Sequence, residues 1–532
     1  MPAKSLPSPN PHRELINQLA PPYQFEAEAI QFGSAIISDD TLPEVPVRIP
    51  LKMMNRHGLI TGATGTGKTV TLQVVAEQLS LAGVPSLLMD LKGDLSGLGS
   101  PSAGHKKIDQ RMEAIGLPFQ AEDLPVEFLT LSKLPGVKLR ATVSEFGPQL
   151  FSKMLGLNET QTGIATVVFK YCDDRGLALV DLQDFRAALN YIRGDGKEEV
   201  EERYGRVSGA SAGTILRKML ELEQQGGDTF FGEPSFDVHD LCRLNKKGKG
   251  ILSILSLKDI QDRPRLFSTF MLSLLSEVYR LFPEEGDLEK PKLAIFIDEA
   301  HLIFKEASSE LIDQLEAIIK LIRSKAVGIY FCTQNPTDIP EAILSQLGLK
   351  IQHSLRAFTA KDRKAIKLVA ENFPTTKFYD IESLLTQMGI GEALITGLGP
   401  KGRPLPPVHT LLRAPVTRMG PLKKTELTAI VSASPLVARY AQTLDPKSAH
   451  EILTGKMESA DDLKARESVL KDRDKLTKKY SADTLKALGK KKTGPSFLEQ
   501  VLSSPAAKEI SRTVGREISR GLLGAFGIKK PR

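Results

Sequence analysis

Residues 58–71 read Gly-Leu-Ile-Thr-Gly-Ala-Thr-Gly-Thr-Gly-Lys-Thr-Val-Thr, and they decide the fold of this 532-residue chain. Gly62, Gly67, Lys68 and Thr69 have the spacing of a P-loop, in which glycines let consecutive backbone N–H groups face one phosphate chain. The stretch before the loop is short and apolar, and the stretch after it has a helical pattern. The order strand, glycine loop, helix places phosphates at a helix N-terminus.

The residues predicted to bind the nucleotide are consecutive. They are Gly62, Ala63, Thr64, Gly65, Thr66, Gly67, Lys68, Thr69 and Val70. In a P-loop the lysine, here Lys68, reaches the β- and γ-phosphates, and the hydroxyl of Thr69 ligates Mg²⁺. ATP and Mg²⁺ are therefore the expected cofactors.

A second motif, Leu-Ala-Ile-Phe-Ile-Asp-Glu at residues 293–299, has the form of a Walker B strand. A fully apolar run is typical of a central strand that is buried on both faces. At its end we expect Asp298 to hold Mg²⁺ through water and Glu299 to act as general base on the attacking water. Two adjacent acids favour hydrolysis over phosphate transfer to a small molecule.

Further polar residues follow predicted strands, and each has two interpretations. Gln334 either senses the γ-phosphate or is a hydrogen-bonded strand end. Arg323 and Arg356 each either deliver a guanidinium to developing phosphate charge, most usefully across a subunit boundary, or form a structural salt bridge. Asp90 or Asp94 either approaches the metal or caps a turn.

The order of elements predicts an α/β fold. Strands alternate with helices, which indicates a P-loop NTPase (RecA-like) with a mostly parallel sheet covered by helices. Residues from about 96 to 250 have few strand signals and many amphipathic, helix-length segments. We therefore expect an N-terminal extension (1–44), an ATPase domain (45–420) with a helical insertion at about 96–250, and a basic helical C-terminal tail (421–532).

Composition excludes several classes of protein. The chain is 41% hydrophobic and 25% charged, as in globular proteins, and no apolar run is long enough to span a membrane. The N-terminus lacks the apolar core of a signal peptide, which favours a cytoplasmic location. Cys172, Cys242 and Cys332 match neither a zinc spacing nor a disulfide framework.

Positive charge is concentrated in the tail. Residues 443–532 hold 20 Lys and Arg against 12 Asp and Glu, whereas the preceding 442 residues hold 51 against 52. Such a tail either neutralises phosphates of nucleic acid or anionic lipid, or is a solvated helical segment of mixed charge.

The end of the tail has the pattern of an amphipathic helix. Its apolar stripe is Ile510, Val514, Ile518, Leu522 and Phe526, and its opposite row is Arg512, Arg516 and Arg520. This helix packs against the protein's own core, docks on an oligomer, makes a peripheral contact with an anionic membrane, or clamps nucleic acid.

Taken together, the motifs resemble a known group. Asn-Arg-His at 55–57, the P-loop, Asp-Glu-Ala-His at 298–301, Gln334, and Leu-Arg-Ala-Phe-Thr-Ala-Lys-Asp at 355–362 resemble HerA-like ATPases of the HerA/FtsK branch of P-loop motors. The likeness is greatest to a bacterial subgroup of HerA-like predicted ATPases and covers roughly residues 20–420.

The resemblance implies an oligomeric machine. In this branch six subunits typically form a hexameric ring, ATP lies between neighbours, and DNA passes through the pore. The arginine before the sensor strand often acts in trans, which favours Arg323 over Arg356. The leading hypothesis is an Mg²⁺-dependent ATPase that is a DNA translocase or helicase. The alternative is a nucleotide-switched scaffold ATPase that acts on a protein partner without nucleic acid.

Overall fold

One twelve-stranded sheet organises the computed structural model of the protein, which describes residues 11–259, 264–305, 309–444 and 446–459 and the single residues 467, 468, 470, 471 and 475. The strands are β1 (Ala29–Ile37), β2 (Asp40–Pro50), β3 (Gly58–Thr61), β4 (Ser86–Asp90), β5 (Val126–Thr130), β6 (Val137–Lys138), β7 (Leu252–Ser256), β8 (Leu293–Ile297), β9 (Val327–Thr333), β10 (Leu349–Gln352), β11 (Glu392–Thr396) and β12 (Val408–Leu412). Their order across the sheet is β2-β1-β12-β11-β10-β3-β9-β8-β4-β7-β5-β6.

Helices cover the sheet. They are α1 (Pro11–Tyr23), α2 (Lys68–Leu81), α3 (Lys106–Ala114), α4 (Val143–Leu155), α5 (Glu159–Asp174), α6 (Leu182–Arg193), α7 (Lys197–Tyr204), α8 (Gly209–Gln224), α9 (Gly227–Phe230), α10 (Pro264–Leu281), α11 (His301–Lys305), α12 (Ser309–Ile322), α13 (Glu341–Leu344), α14 (Ala360–Glu371), α15 (Ile381–Gln387), α16 (Lys424–Ala433) and α17 (Pro435–Ala441). Within the described ranges, none of these helices is both long and apolar enough to cross a membrane.

The eight strands from β10 to β6 are all parallel to their neighbours, and β2, β1, β12 and β11 extend the sheet with antiparallel strands. In β8, Leu293, Ile295 and Ile297 pack into one hydrophobic cluster, while Ala294 and Phe296 pack into another on the opposite face. Because both faces are covered, the central strands are apolar throughout. The predicted parallel, helix-covered sheet is confirmed.

Parallel register brings the ends of five strands, β10, β3, β9, β8 and β4, to one edge of the sheet. Thr61 at the end of β3 pairs with Thr333 of β9 and with Gln352 of β10. Ile297, the last residue of β8, pairs with Phe331 of β9 and Met89 of β4. The segments that follow these strands therefore emerge side by side.

The segment 96–250 contains strands as well as the expected helices. Helices α4, α5 and α6 begin at capping boxes, with Thr142, Asn158 and Asp181 as N-caps. Strands β5 and β6 precede these helices and extend the parallel sheet, which the sequence did not indicate. Glu127 interrupts the apolar run of β5, but it is buried and pairs with Arg243 at 2.9 Å.

The N-terminal region also contributes to the main sheet. Strands β1 and β2 form a hairpin over residues 29–50, and β1 pairs with β12. The sequence predicted residues 1–44 only as an extension, because the partner strand β12 lies almost 400 residues further along the chain.

The chain divides into a compact unit that ends at Gly455 and a second unit that begins at Lys456. Only residues 456–459 and the five single residues of the second unit are described. The predicted amphipathic helix with Ile510 and Arg512 lies outside the described residues.

His57, which immediately precedes β3, ties the central strand to its neighbours. Its Nδ1 accepts a hydrogen bond from the Ile329 N–H at 3.0 Å, and its Nε2 lies 2.8 Å from the Ile319 carbonyl oxygen, to which it donates. Burial is the main cause that lowers the pKa of His57 to about 4. The ring is therefore neutral in the folded protein, because both nitrogens are already engaged.

We predict that His57 makes the folded protein less stable as the pH falls from 6.5 toward 4. The unfolded chain binds a proton in that range while the folded chain does not, so this histidine costs up to about 1.4 kcal/mol of stability per pH unit. Urea unfolding at pH 7 and pH 5 measures the effect. His57→Gln should show a smaller difference between the two pH values than the wild type, whereas His105→Gln, at an exposed histidine, should match the wild type. Equal pH dependence in all three proteins would contradict this role.

Candidate functional site

The glycine loop adopts a conformation that only glycine tolerates well. It joins β3 to α2, and Gly62, Gly65 and Gly67 have φ of +149°, +82° and +113°. A Cβ on Gly62 would lie 2.5 Å from the Cβ of His353, so backbone and side chain are in direct contact there. The loop therefore has the tight curvature that a phosphate-binding loop needs.

Side chains of the loop hold it in this curve. The Thr66 hydroxyl donates to the Ala63 carbonyl oxygen at 2.8 Å, and the Lys68 ammonium donates to the same oxygen at 3.1 Å. Lys68 is buried, which lowers the pKa of its ammonium, although the carboxylates of Glu299 and Asp298 oppose that shift. The buried ammonium of Lys68 thus bonds back to the start of the loop and lies near the carboxylates of Glu299 and Asp298.

Helix α2 begins directly at the loop. Its N-cap, Gly67, has a left-handed conformation, and no side chain caps the first turn. The backbone N–H groups of that turn, together with the helix dipole, favour an anion at this end. Thr69, in the first turn, is half-buried.

Asp298 follows β8 and has the character of a metal ligand. It is 2% exposed, and its Oδ2 has no hydrogen-bond partner among the described residues. Burial raises the pKa of Asp298, while Lys92 and the Cys332 thiol act in the opposite direction. An unpartnered buried carboxylate oxygen is costly on its own, and a divalent cation would satisfy it. The residues present therefore fit Mg²⁺.

Glu299 forms an ion pair with Lys92, a residue that was not predicted from the sequence to belong to the site. It has a positive φ of 47°, which is uncommon outside glycine, and it is buried. Its Oε1 forms an ion pair with the ammonium of Lys92, and its Oε2 lies 3.3 Å from Nδ1 of His301. Burial lowers the pKa of Lys92, but the bond to Glu299 together with the charges of Asp298, Glu299 and Asp94 outweighs this effect, and the net shift is upward.

The turn after β4 carries Lys92. Asp90 accepts hydrogen bonds from the Gly93 N–H and, at 3.2 Å, from the Leu95 N–H, so its carboxylate shapes this turn. Mainly because of burial, the pKa of Asp90 is raised to about 6. Of the two interpretations of Asp90, the turn cap agrees with these contacts, whereas Oδ1 of Asp94 has no hydrogen-bond partner among the described residues. In the sequence, Lys92 could have been noticed because it lies between two acids in the run Asp-Leu-Lys-Gly-Asp at residues 90–94, at the end of a strand.

The remaining predicted residues lie at different places. Gln334 directly follows β9, at the edge of the sheet where the loop lies, and is exposed. Arg356 is exposed beside the loop of its own chain, with Nη2 3.5 Å from the Thr64 carbonyl oxygen. Arg323 lies in the turn before β9, at the opposite edge, which at strand geometry is roughly 20 Å from the loop. The fold therefore gathers all the predicted residues except Arg323.

A cavity beside the loop was not predicted. Its volume is about 230 Å³, and it opens next to Gly67 and the first turns of α2. Its walls come from five segments that are distant in sequence: Phe32, Gly67, Val70, Thr71, Val74, Lys107, Ile108, Arg111, Ile390, Gly391, Leu412, Arg413, Ala414, Pro415 and Met419. Arg111 donates to the carbonyl oxygens of Gly391 at 3.0 Å and Leu412 at 3.2 Å, which fixes these segments together. Since no local motif marks it, the sequence carried no signal for this cavity.

Comparisons with known proteins identify the family of the chain. The model of the family described as "Helicase HerA-like C-terminal" matches residues 36–531, which include the P-loop, Asp298 and Glu299. The DNA double-strand break repair helicase HerA of Sulfurisphaera tokodaii is 24% identical over 392 residues, or 70% of this chain and 68% of that protein. The protein of the same name from Sulfolobus acidocaldarius is 21% identical over 394 residues, with the same coverage.

Among solved structures, the bacterial conjugative coupling protein TrwB superposes with a TM-score of 0.48 and 14% identity, covering 75% of this chain and 93% of that one. VirB4 of Thermoanaerobacter pseudethanolicus superposes with a TM-score of 0.46 and 14% identity, covering 76% of this chain and 99% of that one.

We predict that Gly62→Ala destabilises the nucleotide-free protein more than Gly65→Ala does. Both positions have a positive φ, but only at Gly62 does the new Cβ meet another residue. The overlap with His353 should cost about 1–3 kcal/mol beyond the shared backbone strain. Urea unfolding without nucleotide measures both variants, and an equal loss of stability would contradict the close approach.

Proposed function

Since the chain belongs to the family of HerA-like helicases, we propose that it hydrolyses ATP with Mg²⁺ and uses the energy to move on DNA. The observation that carries this proposal is the convergence of the glycine loop, Asp298 and Glu299 at one edge of the sheet. That edge combines a phosphate site, an unpartnered carboxylate oxygen and a second acid. These are the groups that phosphoryl transfer to water requires.

In this proposal the nucleotide phosphates lie against the first turn of α2. Lys68 exchanges its bond to the Ala63 carbonyl oxygen for the β- and γ-phosphate oxygens. Thr69 and Asp298 would hold Mg²⁺, which would supply positive charge against the charge that develops on the phosphates. The uncapped N–H groups after Gly67 donate to the same anion.

Glu299 is the general base in this proposal, and Lys92 positions it. The Lys92 ammonium fixes the direction of the buried carboxylate through the ion pair. Proton transfer from water to Glu299 makes the water a nucleophile toward the γ-phosphorus. Lys92 is a positioning residue because it acts through Glu299.

The nucleoside occupies the cavity beside Gly67. The cavity adjoins the loop, so a base bound there remains linked to phosphates on α2. Its apolar walls, such as Val70, Val74 and Ile390, suit the faces of a heterocyclic ring, and polar atoms at the rim suit its edges.

A ring of subunits would complete the site. Arg323 is exposed and lies at the sheet edge opposite its own loop, so it can serve only a nucleotide bound to a neighbouring chain. Arg356 lies beside its own loop and can serve the nucleotide in cis. We therefore assign the trans role to Arg323 in a hexamer with DNA in its pore. DNA as substrate would locate this activity in the cytoplasm.

The second candidate is a nucleotide-switched ATPase that remodels a protein partner. The observation that favours it is the neutral body, since residues 1–442 hold 51 basic and 52 acidic side chains. A protein that grips a polyanion usually has an excess of basic residues on the gripping surface.

We predict that Glu299→Gln reduces kcat about 100-fold or more and leaves the dissociation constant of ATP within about threefold of the wild type. The amide is nearly isosteric but cannot take the proton. Lys92→Met should give a smaller fall in kcat, because the carboxylate remains but loses its partner. Phosphate release and fluorescent-nucleotide binding measure the two constants, and unchanged turnover in Glu299→Gln would refute the assignment.

We predict that Val74→Phe raises the dissociation constant of ATP about tenfold or more, while that of inorganic tripolyphosphate stays unchanged. Val74 lies one turn beyond the loop and lines the cavity, so the larger ring excludes the base but spares the phosphate site. Calorimetric titration with both ligands tests this. If both lose affinity equally, or neither does, the base binds elsewhere.

A further inference from the structure

Helix α14 (Ala360–Glu371) exposes an unusually basic face. Its buried side consists of Ile366 and Val369, which pack with Leu355, Phe373 and Leu385 in a small separate hydrophobic cluster. The exposed positions carry four cations, Lys361, Arg363, Lys364 and Lys367. One helical turn separates Arg363 from Lys367, so these charges form a continuous patch of about 9 Å along the axis.

These cations form no close ion pair with a described carboxylate, although Lys361 interacts electrostatically with its neighbour Asp362. Among the described residues, none of the four forms an ion pair within 4.0 Å. The nearby acid, Asp362, is occupied by the helix N-terminus, since it accepts from the N–H groups of Thr359 at 2.8 Å and Phe358 at 3.1 Å. The local excess of positive charge is thus available to an external anion.

An aromatic side chain stands next to the patch. Phe358 is 79% exposed, the largest exposure among the exposed large hydrophobic residues of the described chain. It lies two residues after Arg356 and directly before the N-cap Thr359. The segment 356–367, here called the basic platform, therefore combines cations with a free aromatic ring.

We propose that the basic platform binds the phosphate backbone of single-stranded DNA and stacks one base on Phe358. Cations and an exposed ring are the two elements of sequence-tolerant single-strand binding. A membrane surface fits less well, because the apolar side of α14 is buried in the protein and only Leu368 on the helix remains exposed. This inference rests on the proposed function for its partner, DNA.

The platform is also joined to the nucleotide loop. Arg356 Nη2 lies 3.5 Å from the Thr64 carbonyl oxygen, and just before the platform the Ser354 carbonyl oxygen accepts from the Ala63 N–H at 2.8 Å. A strand bound at Phe358 would therefore contact a segment that touches the P-loop. DNA on the platform should increase the rate of ATP hydrolysis.

The test uses the full chain and a matched pair of charge reversals. Lys364→Glu/Lys367→Glu alters the platform, and Lys246→Glu/Lys247→Glu alters two exposed lysines in the turn before β7, at the opposite edge of the sheet. Binding of a fluorescent oligo(dT) is measured from 50 to 200 mM salt in the presence of a non-hydrolysable ATP analogue. Circular dichroism and the ATPase rate without DNA show that each variant is folded.

The platform reversal should weaken binding about tenfold or more and reduce the slope of log affinity against log salt by about 1.4, as loss of two phosphate contacts to a single strand requires. The Lys246/Lys247 pair should bind as the wild type does. Phe358→Ala should weaken binding about fivefold or more without changing the salt slope, because stacking releases no counterions.

Three results would overturn the inference. If wild-type protein binds oligo(dT) but the two reversals behave alike, the platform is wrong while the proposed function stands. If the platform reversal changes the mass of the assembly and not DNA affinity, this face is a contact between copies of the chain. If the wild type binds no DNA at low salt, both the platform and the proposed DNA substrate are refuted.

Discussion

The site depends on the parallel register of β3, β9, β8 and β4. Because these strands run in one direction, the glycine loop, Gln334, Asp298 and the turn with Lys92 all emerge at one edge. No single segment of the chain contains all of these functional groups. The buried apolar strands fix the separation of the groups, and the helices on both faces keep water out of the sheet beneath them.

Buried charge is the second constraint on this edge. Lys68, Asp298 and Glu299 are all buried, which is costly unless they compensate one another. Lys92 adds a second cation from β4, so two ammonium groups balance two carboxylates before any nucleotide arrives. Nucleotide and metal would then enter a site whose formal charges are balanced, although Oδ2 of Asp298 has no hydrogen-bond partner among the described residues.

Local motifs allowed the centre of the site to be predicted, and long-range contacts explain what was missed. The P-loop and the run before Asp298 are each continuous in sequence. Glycines mark the tight turn of the first, and apolar residues mark the buried strand of the second. The cavity beside Gly67 joins residues near 32, 110, 390 and 415, so no window of sequence contains it. Strand β5 was not predicted because Glu127 interrupts its apolar run, and the ion-pair partner of this buried acid, Arg243, lies more than 100 residues away. The roles of Arg323 and Arg356 stay predictions, because that of Arg323 depends on a neighbouring chain and that of Arg356 on a bound nucleotide.

The central claim is that hydrolysis at this edge is coupled to DNA. The most direct measurement is the steady-state ATPase rate at low salt, with and without single- and double-stranded DNA, on samples whose assembly mass is determined in parallel. The account predicts that DNA accelerates hydrolysis severalfold in an oligomeric assembly, and that Lys68→Ala has no measurable rate under any condition. A wild-type rate that is the same with and without either form of DNA would contradict it.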